Sequence, residues 1–470
     1  MKKSIMVILA ALNISSLTYA QFRSNGQPGV NVFETPKTEV TFEGVKVKIG
    51  GGFTMGFQAL EHSNTAISVP VAAKNPVGAN AGSNAYDATK LTPIRPGFNL
   101  PSANLMFKTL LADGVALNME LYLASRHHNE TWVKGGFIQF DKVPFLKFDF
   151  LDKIMQYTTV KVGQMEVNYG DAHFRRTDGG NAIYNPFIEN YIIDAFATEV
   201  GFEADINYNG IIGVASITNG LLKGNISVVD STFNTSVTPK TMISAGKNNP
   251  SFIAKLGYDK QITNDLRIRL TGSAYYNAGA VSNTLLWGDR TGSNYFGVMD
   301  YATPSTANAW TGRYNIGYSD KISALAGNLF VKFHGLEWFS TIESLSGRSN
   351  KEATGERNAT QIASDLVFRF GASENFYVGA RYNVVKSEQY LTSDLPAVAA
   401  TANLPAFNAV TKGMYDVNIN RLAISAGWFM TKNVMAKVEY VNQNYGGFLY
   451  NDIRSNGNFN GIVAQAVIGF

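Results

Sequence analysis

The last ten residues of the chain, Gly461–Phe470, read GIVAQAVIGF and have the clearest strand pattern in the sequence. Every second residue of this stretch is apolar, and these side chains share one face if the backbone is extended: Ile462, Ala464, Ala466, Ile468 and Phe470. A period of two over about ten residues is typical of a β-strand with one apolar face. The stretch therefore predicts a terminal strand rather than a helix.

The same alternation recurs through most of the chain. In residues 45–57 the side chains of Val47, Ile49 and Phe53 alternate with lysine and glycine. Sixteen segments follow this pattern: 45–57, 102–111, 114–124, 131–140, 157–168, 195–208, 210–222, 251–262, 265–277, 322–334, 335–346, 360–371, 375–388, 416–430, 433–445 and 460–470. The chain has no run of about 18 apolar residues, which a membrane-spanning helix would need. The pattern predicts about 16 strands and no spanning helix.

The connections between these segments alternate in length. Tight-turn sequences such as Asp113-Gly114, Asn209-Gly210 and His334-Gly335 join one pair of strands. Longer polar connections, such as 58–101 and 278–321, join the next pair. Two connections depart from the rule: 125–130 is short for a loop, and 141–156 is long for a turn, with room for a small helix at 150–156.

The composition excludes several classes of protein. Only 16% of the 470 residues are charged, whereas a soluble chain usually has about 25%. The chain has no cysteine, so disulfides, thiolate nucleophiles and cysteine-ligated metals are excluded. The 40 basic and 36 acidic residues nearly balance, which argues against a nucleic-acid partner.

The N-terminus has the pattern of an export signal. Lys2 and Lys3 precede the apolar stretch 5–12, and the small-residue exit 18–20 follows. We therefore expect a signal peptide at 1–20 and a flexible periplasmic lead-in at 21–44. The barrel domain is then 45–470.

The alternation also predicts which face meets lipid. A barrel of 16 strands is too wide for inward side chains to fill, so the apolar face must point outward. Inside lipid, strands find partners for their backbone groups only in a closed sheet. We predict an all-β, antiparallel, up-and-down transmembrane β-barrel of about 16 strands with short periplasmic turns and long extracellular loops. Its location is the outer membrane of a Gram-negative bacterium.

Two stretches carry a family resemblance. The alternating C-terminus with its terminal Phe470 resembles the C-terminal signature of bacterial outer-membrane barrels, and residues 160–170, VKVGQMEVNYG, resemble the segment leading into loop three of phosphate-selective O/P porins. With Gln21 after the signal, the chain is similar to a Bacteroidetes version of these porins. The resemblance implies a homotrimer in outer-membrane lipid, passive diffusion of small hydrophilic solutes or ions, and a third loop that folds into the pore. It matches the arginine-lysine track of that family only in part.

The candidate site residues lie in the third loop and on the polar face of the strands. In the loop, 171–194, we expect a pore constriction formed by Arg175, Arg176, Asp171, Asp178 and Glu189. The candidate pore-lining residues are Lys161, Lys255, Arg267, Arg269, Lys332, Arg369, Arg381, Lys437, Glu199 and Glu203. Charged side chains at a narrow wall select ions, but salt bridges that stiffen the loop or wall are an equally good explanation. The excess of basic over acidic lining residues predicts a mild preference for anions.

Little in the sequence supports an enzymatic function. No Gly-x-Ser-x-Gly, HExxH or Walker motif is present, and the neighbouring His127 and His128 would point to opposite faces of a strand. The oxygens of Asp171, Asp178 and Asn181 lack the spacing of a calcium loop. We therefore expect a channel without a cofactor or metal and without enzymatic activity. The alternative function is a plugged barrel with a structural or adhesive role through its long extracellular loops.

Overall fold

The computed structural model describes residues 23–35, 37, 42–72, 85–123, 132–178, 181–222, 232–234, 241–244, 248–288, 293–301, 312–349, 352, 355–400 and 406–470. The expected signal peptide at 1–20 lies outside these residues and stays a prediction. In the part of the chain given above, no helix has both the length and the apolar character needed to cross a membrane.

Sixteen antiparallel strands form a closed barrel. They are β1 (Lys46–Ser63), β2 (Ser102–Ala112), β3 (Val115–Tyr122), β4 (Trp132–Phe140), β5 (Thr158–Glu166), β6 (Thr198–Tyr208), β7 (Ile211–Thr218), β8 (Ser251–Gln261), β9 (Leu266–Asn277), β10 (Ile322–Phe333), β11 (Leu336–Gly347), β12 (Arg357–Phe370), β13 (Phe376–Leu391), β14 (Gly413–Thr431), β15 (Val434–Gly446) and β16 (Asn458–Gly469). The two-residue strand Gly97–Phe98 adds a seventeenth member, paired with β1. The predicted all-β barrel and its sixteen strand segments are confirmed.

The C-terminal strand closes the barrel. β16 pairs with β1 over the whole register from Gly52↔Gly469 to Ser63↔Asn458. Because each strand then has a neighbour on both sides, no edge strand leaves its backbone groups without partners in lipid.

Short turns gather at one end of the barrel, as predicted. Asn209 and His334 adopt positive φ angles of 48° and 50° in the two-residue turns after β6 and β10, a conformation that asparagine tolerates better than most residues. The exceptional connection between β4 and β5 contains the expected short helix, α1 (Asp149–Met155). The second exceptional connection, between β3 and β4 (residues 123–131), lies mostly outside the described residues.

The outer face is an apolar belt. Leu256, Leu325 and Ile342 are 72%, 60% and 58% exposed on three different strands, while their neighbours in sequence point inward. Such a belt around a closed sheet is the surface that a bilayer covers. The protein is an outer-membrane barrel, as the sequence predicts.

The inner face differs from the expectation in one half of the barrel. We expected its side chains to border water, but inward apolar residues of β13 and β15, such as Val385 and Val441, are buried. They belong to one apolar cluster with Ile192, Leu285 and Val298 from two long connections. The alternation predicts which side chains point inward, but not that the chain itself would fold back and cover them.

Candidate functional site: the barrel interior

The connection from β5 to β6, residues 167–197, lies inside the barrel. The backbone amide of Ile188 donates to Glu439 at 2.8 Å, and that of Ile192 donates to Asn383 at 2.7 Å. The amide of Ile193 donates to Gln361 at 2.8 Å. These acceptors belong to β15, β13 and β12, so the inserted loop reaches the wall opposite the strands from which it starts.

Asp171 ties the beginning of the inserted loop to β8 and β9. Its carboxylate accepts two 2.8 Å hydrogen bonds from Arg269 and one of 3.1 Å from Lys255. All three side chains are nearly fully buried. Burial by itself would raise the pKa of Asp171, but the charges of Lys255 and Arg269 outweigh it and hold the pKa well below its usual range.

Two further cations hold the loop through its backbone carbonyl groups. The ammonium group of Lys437 donates to the carbonyl oxygens of Ala182, Asn185 and Phe187 at 3.0, 3.0 and 2.8 Å. Arg381 donates to the carbonyl oxygen of Glu189 at 2.6 Å. Both cations therefore fix the path of the loop.

Arg176 and Glu189 belong to a second buried ion-pair group. Arg176 donates to both carboxylate oxygens of Asp194, at 3.1 and 2.8 Å. Arg313, from the connection between β9 and β10, lies 2.8 Å from Asp194 and 2.9 Å from Glu189. The group joins the inserted loop to the other long connection that enters the barrel.

Asp178 meets the near wall of the barrel. Its carboxylate pairs with Lys134 of β4 and accepts a 3.0 Å hydrogen bond from the hydroxyl of Tyr122. Lys134 also lies 3.2 Å from Glu120. Burial would raise the pKa of Asp178, but Lys134 and Arg176 lower it to about 2, so this carboxylate is ionised at neutral pH.

Residues 23–35 also pack inside the barrel, at the end with the short turns. The ring of Phe33 contacts those of Phe174, Phe330 and Phe339 at centroid distances of 5.8, 5.4 and 6.4 Å. Glu34 accepts hydrogen bonds of 2.6 and 2.9 Å from Arg269. The expected flexible lead-in at 21–44 therefore does not describe these residues, because an aromatic ring and a carboxylate anchor them to the wall and the loop.

An open space remains along the other half of the barrel. It consists of three neighbouring cavities of about 1020, 680 and 320 Å³ that share Arg23, Thr35 and Met106 in their linings. The largest cavity starts at the short turn after β2, at Asp113, and extends to Tyr184 of the inserted loop. The smallest of the three cavities reaches Lys134 of β4 and Thr198 of β6. Both residues lie at the ends of their strands away from the short turns.

The candidate residues fall into two groups. All ten lining candidates are on inward-facing positions, but among the described cavities only Lys161, Arg267 and Glu203 border the open space. Of the loop candidates, Arg176 and Asp178 border it. The others are covered by protein or lie apart from it: Asp171, Arg175, Glu189, Lys255, Arg269, Lys332, Arg369, Arg381, Lys437 and Glu199.

Sequence reasoning missed other charged residues at the open space. Lys108 and Asp141 border the largest cavity, as does Lys37 from the N-terminal segment. Lys108 occupies an inward position of the predicted strand 102–111, so the alternation alone could have found it. Lys37 could not have been found in this way, because the sequence around it has no pattern that predicts a position inside the barrel.

The described residues contain no candidate site for a metal ion. No group of three or more His, Asp or Glu side chains in that part of the chain is placed to hold a metal ion. Asp171 and Asp178, considered for calcium, are each paired with a buried cation. His127 and His128 lie outside the residues that the structure describes.

The chain resembles known proteins in fold alone. No family model matches the chain, and no curated protein sequence matches it. Among solved structures, an outer-membrane expressed OmpT of Vibrio cholerae is 9% identical with a TM-score of 0.47, over 92% of this chain and 99% of that one. An anion-selective porin from Comamonas acidovorans is 8% identical with a TM-score of 0.48, over 91% and 100%. The outer membrane channel DcaP of Acinetobacter baumannii is 12% identical with a TM-score of 0.43, over 92% and 99%.

Proposed function

We infer that the protein is an outer-membrane channel through which small hydrophilic solutes diffuse passively. The observation that carries this inference is the open space along β2–β6, which starts beside the short turns and reaches the far ends of β4 and β6. Its wall is rich in charged and amide side chains, which suit a water-filled path.

The narrow part of this path lies where the inserted loop meets β3 and β4. Arg176 and Asp178 of the loop face Lys134 and Glu120 of the wall around the smallest cavity, of about 320 Å³. Charges of both signs at so narrow a place act strongly on a solute that has lost part of its hydration shell. These four side chains are the proposed constriction.

The charge balance of the path favours a general channel with a mild anion preference. The largest cavity is lined by six basic and five acidic side chains. They are Arg23, Lys37, Lys108, Lys142, Lys147 and Lys161 against Glu34, Asp113, Asp141, Asp152 and Asp205. A phosphate-selective channel of the kind that the sequence resembles would need a stronger excess of positive charge along its path. The homotrimer implied by the resemblance remains part of the proposal, and the mass of the protein–detergent complex tests it.

Planar bilayers test the proposal directly. We expect large, ohmic single-channel steps, and in asymmetric KCl a reversal potential slightly on the anion side. A protein that inserts but stays silent would overturn the proposed channel, and a reversal potential on the cation side would overturn the anion preference.

One observation favours the alternative of a plugged barrel with an adhesive or structural role. Residues 23–35, the inserted loop and the connection between β9 and β10 fill the half of the interior beside β10–β16 with buried side chains. If this filling extended across the open space, the barrel would be silent and its extracellular loops would carry the function. Binding to a surface partner that is lost on loop deletion, without conductance, would support this alternative.

A further inference from the structure

Arg175 lies in the inserted loop, and its guanidinium group donates no hydrogen bond to a carboxylate of the described residues. Its side chain is only 3% exposed, and none of its three guanidinium nitrogens has a hydrogen-bond acceptor among the described residues. The nearest carboxylate oxygen in the ion pairs of this region, from Asp365, is 3.8 Å away. A buried guanidinium group without acceptors is costly, because it has lost its water and gained no hydrogen bond in return.

The carboxylates near Arg175 are already paired with other arginines. Asp365 receives two hydrogen bonds from Arg381, at 2.7 and 2.8 Å. Glu337 receives one from Arg369 at 2.7 Å. Three guanidinium groups therefore share two carboxylates at this part of the wall, which leaves one positive charge uncompensated.

A small cavity lies at this place between the loop and the wall. It has a volume of about 20 Å³ and is lined by Arg175, Arg176, Tyr191, Asn185 and Thr341, among other residues. Nη1 of Arg176 also has no hydrogen-bond acceptor in the described part of the chain. Guanidinium, hydroxyl and amide groups here offer donors, and one water needs roughly 10–15 Å³.

Two carboxylates also border this cavity, and neither neutralises Arg175. Asp194 is held by Arg176 and Arg313, each at 2.8 Å. Glu343 lies four residues along β11 from Phe339, the ring over which the Arg175 guanidinium sits at 4.8 Å. The carboxylate of Glu343 accepts a 2.6 Å hydrogen bond from Gln361 of β12 and forms no ion pair with Arg175 in the described part of the chain.

We propose that Arg175 binds a small monovalent anion of halide size in this cavity, where it fixes the inserted loop to β11. A volume of about 20 Å³ has room for one small ion. The site is distinct from the proposed path for solutes, because Arg175 borders none of its three cavities. A barrel that is silent in bilayers would refute the channel and leave this anion site standing.

Thermal unfolding of the purified protein in detergent tests the site. We compare sodium chloride and bromide with sodium gluconate at equal ionic strength. An ion that binds only the folded state raises Tm, here by roughly 2 °C or more. Arg175→Met should abolish the dependence on halide, whereas Arg348→Met should keep it, because Arg348 is paired with Asp320 at the surface.

Crystals of the unmodified protein grown with bromide give a second readout that needs no variant to fold. We expect an anomalous peak within hydrogen-bond distance of the Arg175 guanidinium. Equal Tm values in halide and gluconate, or water alone at this position in bromide, would overturn the proposal.

Discussion

Arg269 on β9 donates two 2.8 Å hydrogen bonds to the carboxylate of Asp171, and both side chains are completely buried. The two residues are 98 positions apart in the chain. The same guanidinium group binds Glu34 of the N-terminal segment. One arginine of the wall thus positions both segments that narrow the barrel.

Asp171→Asn should loosen the inserted loop. In the described contacts it leaves Lys255 with Glu34, and Arg269 with Glu34 and Asp259, as the remaining carboxylates. Breaking a buried pair typically costs about 3–5 kcal/mol. We expect a lower free energy of unfolding and noisier single-channel currents. Asp265→Asn is the control, since Asp265 pairs with His334 at the exposed end of the barrel. Equal loss in both variants would contradict the anchoring role.

Phe33→Ala should widen the path at the end with the short turns. Phe33 fills the space between Phe174 of the loop and Phe330 and Phe339 of the wall, and removing a buried phenyl ring costs about 3–5 kcal/mol. The N-terminal segment should detach more easily, and the single-channel conductance should rise. Phe98→Ala serves as the control because Phe98 is 85% exposed. Unchanged conductance would mean that residues 23–35 do not narrow the path.

Two neighbouring arginines should affect ion selectivity differently. Replacing Arg175 and Arg176 together by Ala should lower the anion preference, and Arg176→Gln alone should account for most of that change, because only Arg176 borders the open space. Arg175→Gln should leave the reversal potential in asymmetric KCl within error of the unmodified protein. A shift from Arg175→Gln as large as that from Arg176→Gln would overturn the proposed constriction.

His173 should make the stability of the barrel depend on pH. Burial lowers the pKa of this histidine, although its hydrogen bond with Glu166 opposes the effect. Because the unfolded chain has the higher pKa, it binds more protons as the pH falls below about 6.5, and the folded state loses stability there. The contribution is fully present above this value and declines down to the pKa of the folded state. Unfolding between pH 5 and 8 measures it.

His173→Gln should remove that part of the pH dependence and keep a polar partner for Glu166 and Asn168, which the ring contacts at 3.1 Å each. His334→Gln is the matched control, since His334 lies in an exposed turn. If the pH profile were the same with and without His173, another group would have to explain it.

The sequence predicts which side chains of the strands face inward and outward. It does not predict whether an inward charged side chain borders the open space or pairs with an inserted segment. Lys161 and Lys255 have the same inward position in alternating segments, and no local pattern separates them. Lys161 borders the open space, while Lys255 is covered by Gly170 and Asp171 of the loop. The difference depends on segments more than 80 residues away along the chain.

The sixteen strands, their tight turns and the face that meets lipid follow from local patterns in the amino-acid sequence. These features depend on neighbouring residues, because side chains alternate along each strand and a bilayer tolerates only an apolar outer surface. Which part of the interior stays open depends on contacts that form only in the folded barrel. Residues 23–35 and the inserted loop fill one side through ion pairs and aromatic contacts between distant segments, and such contacts have no period that a local pattern could show.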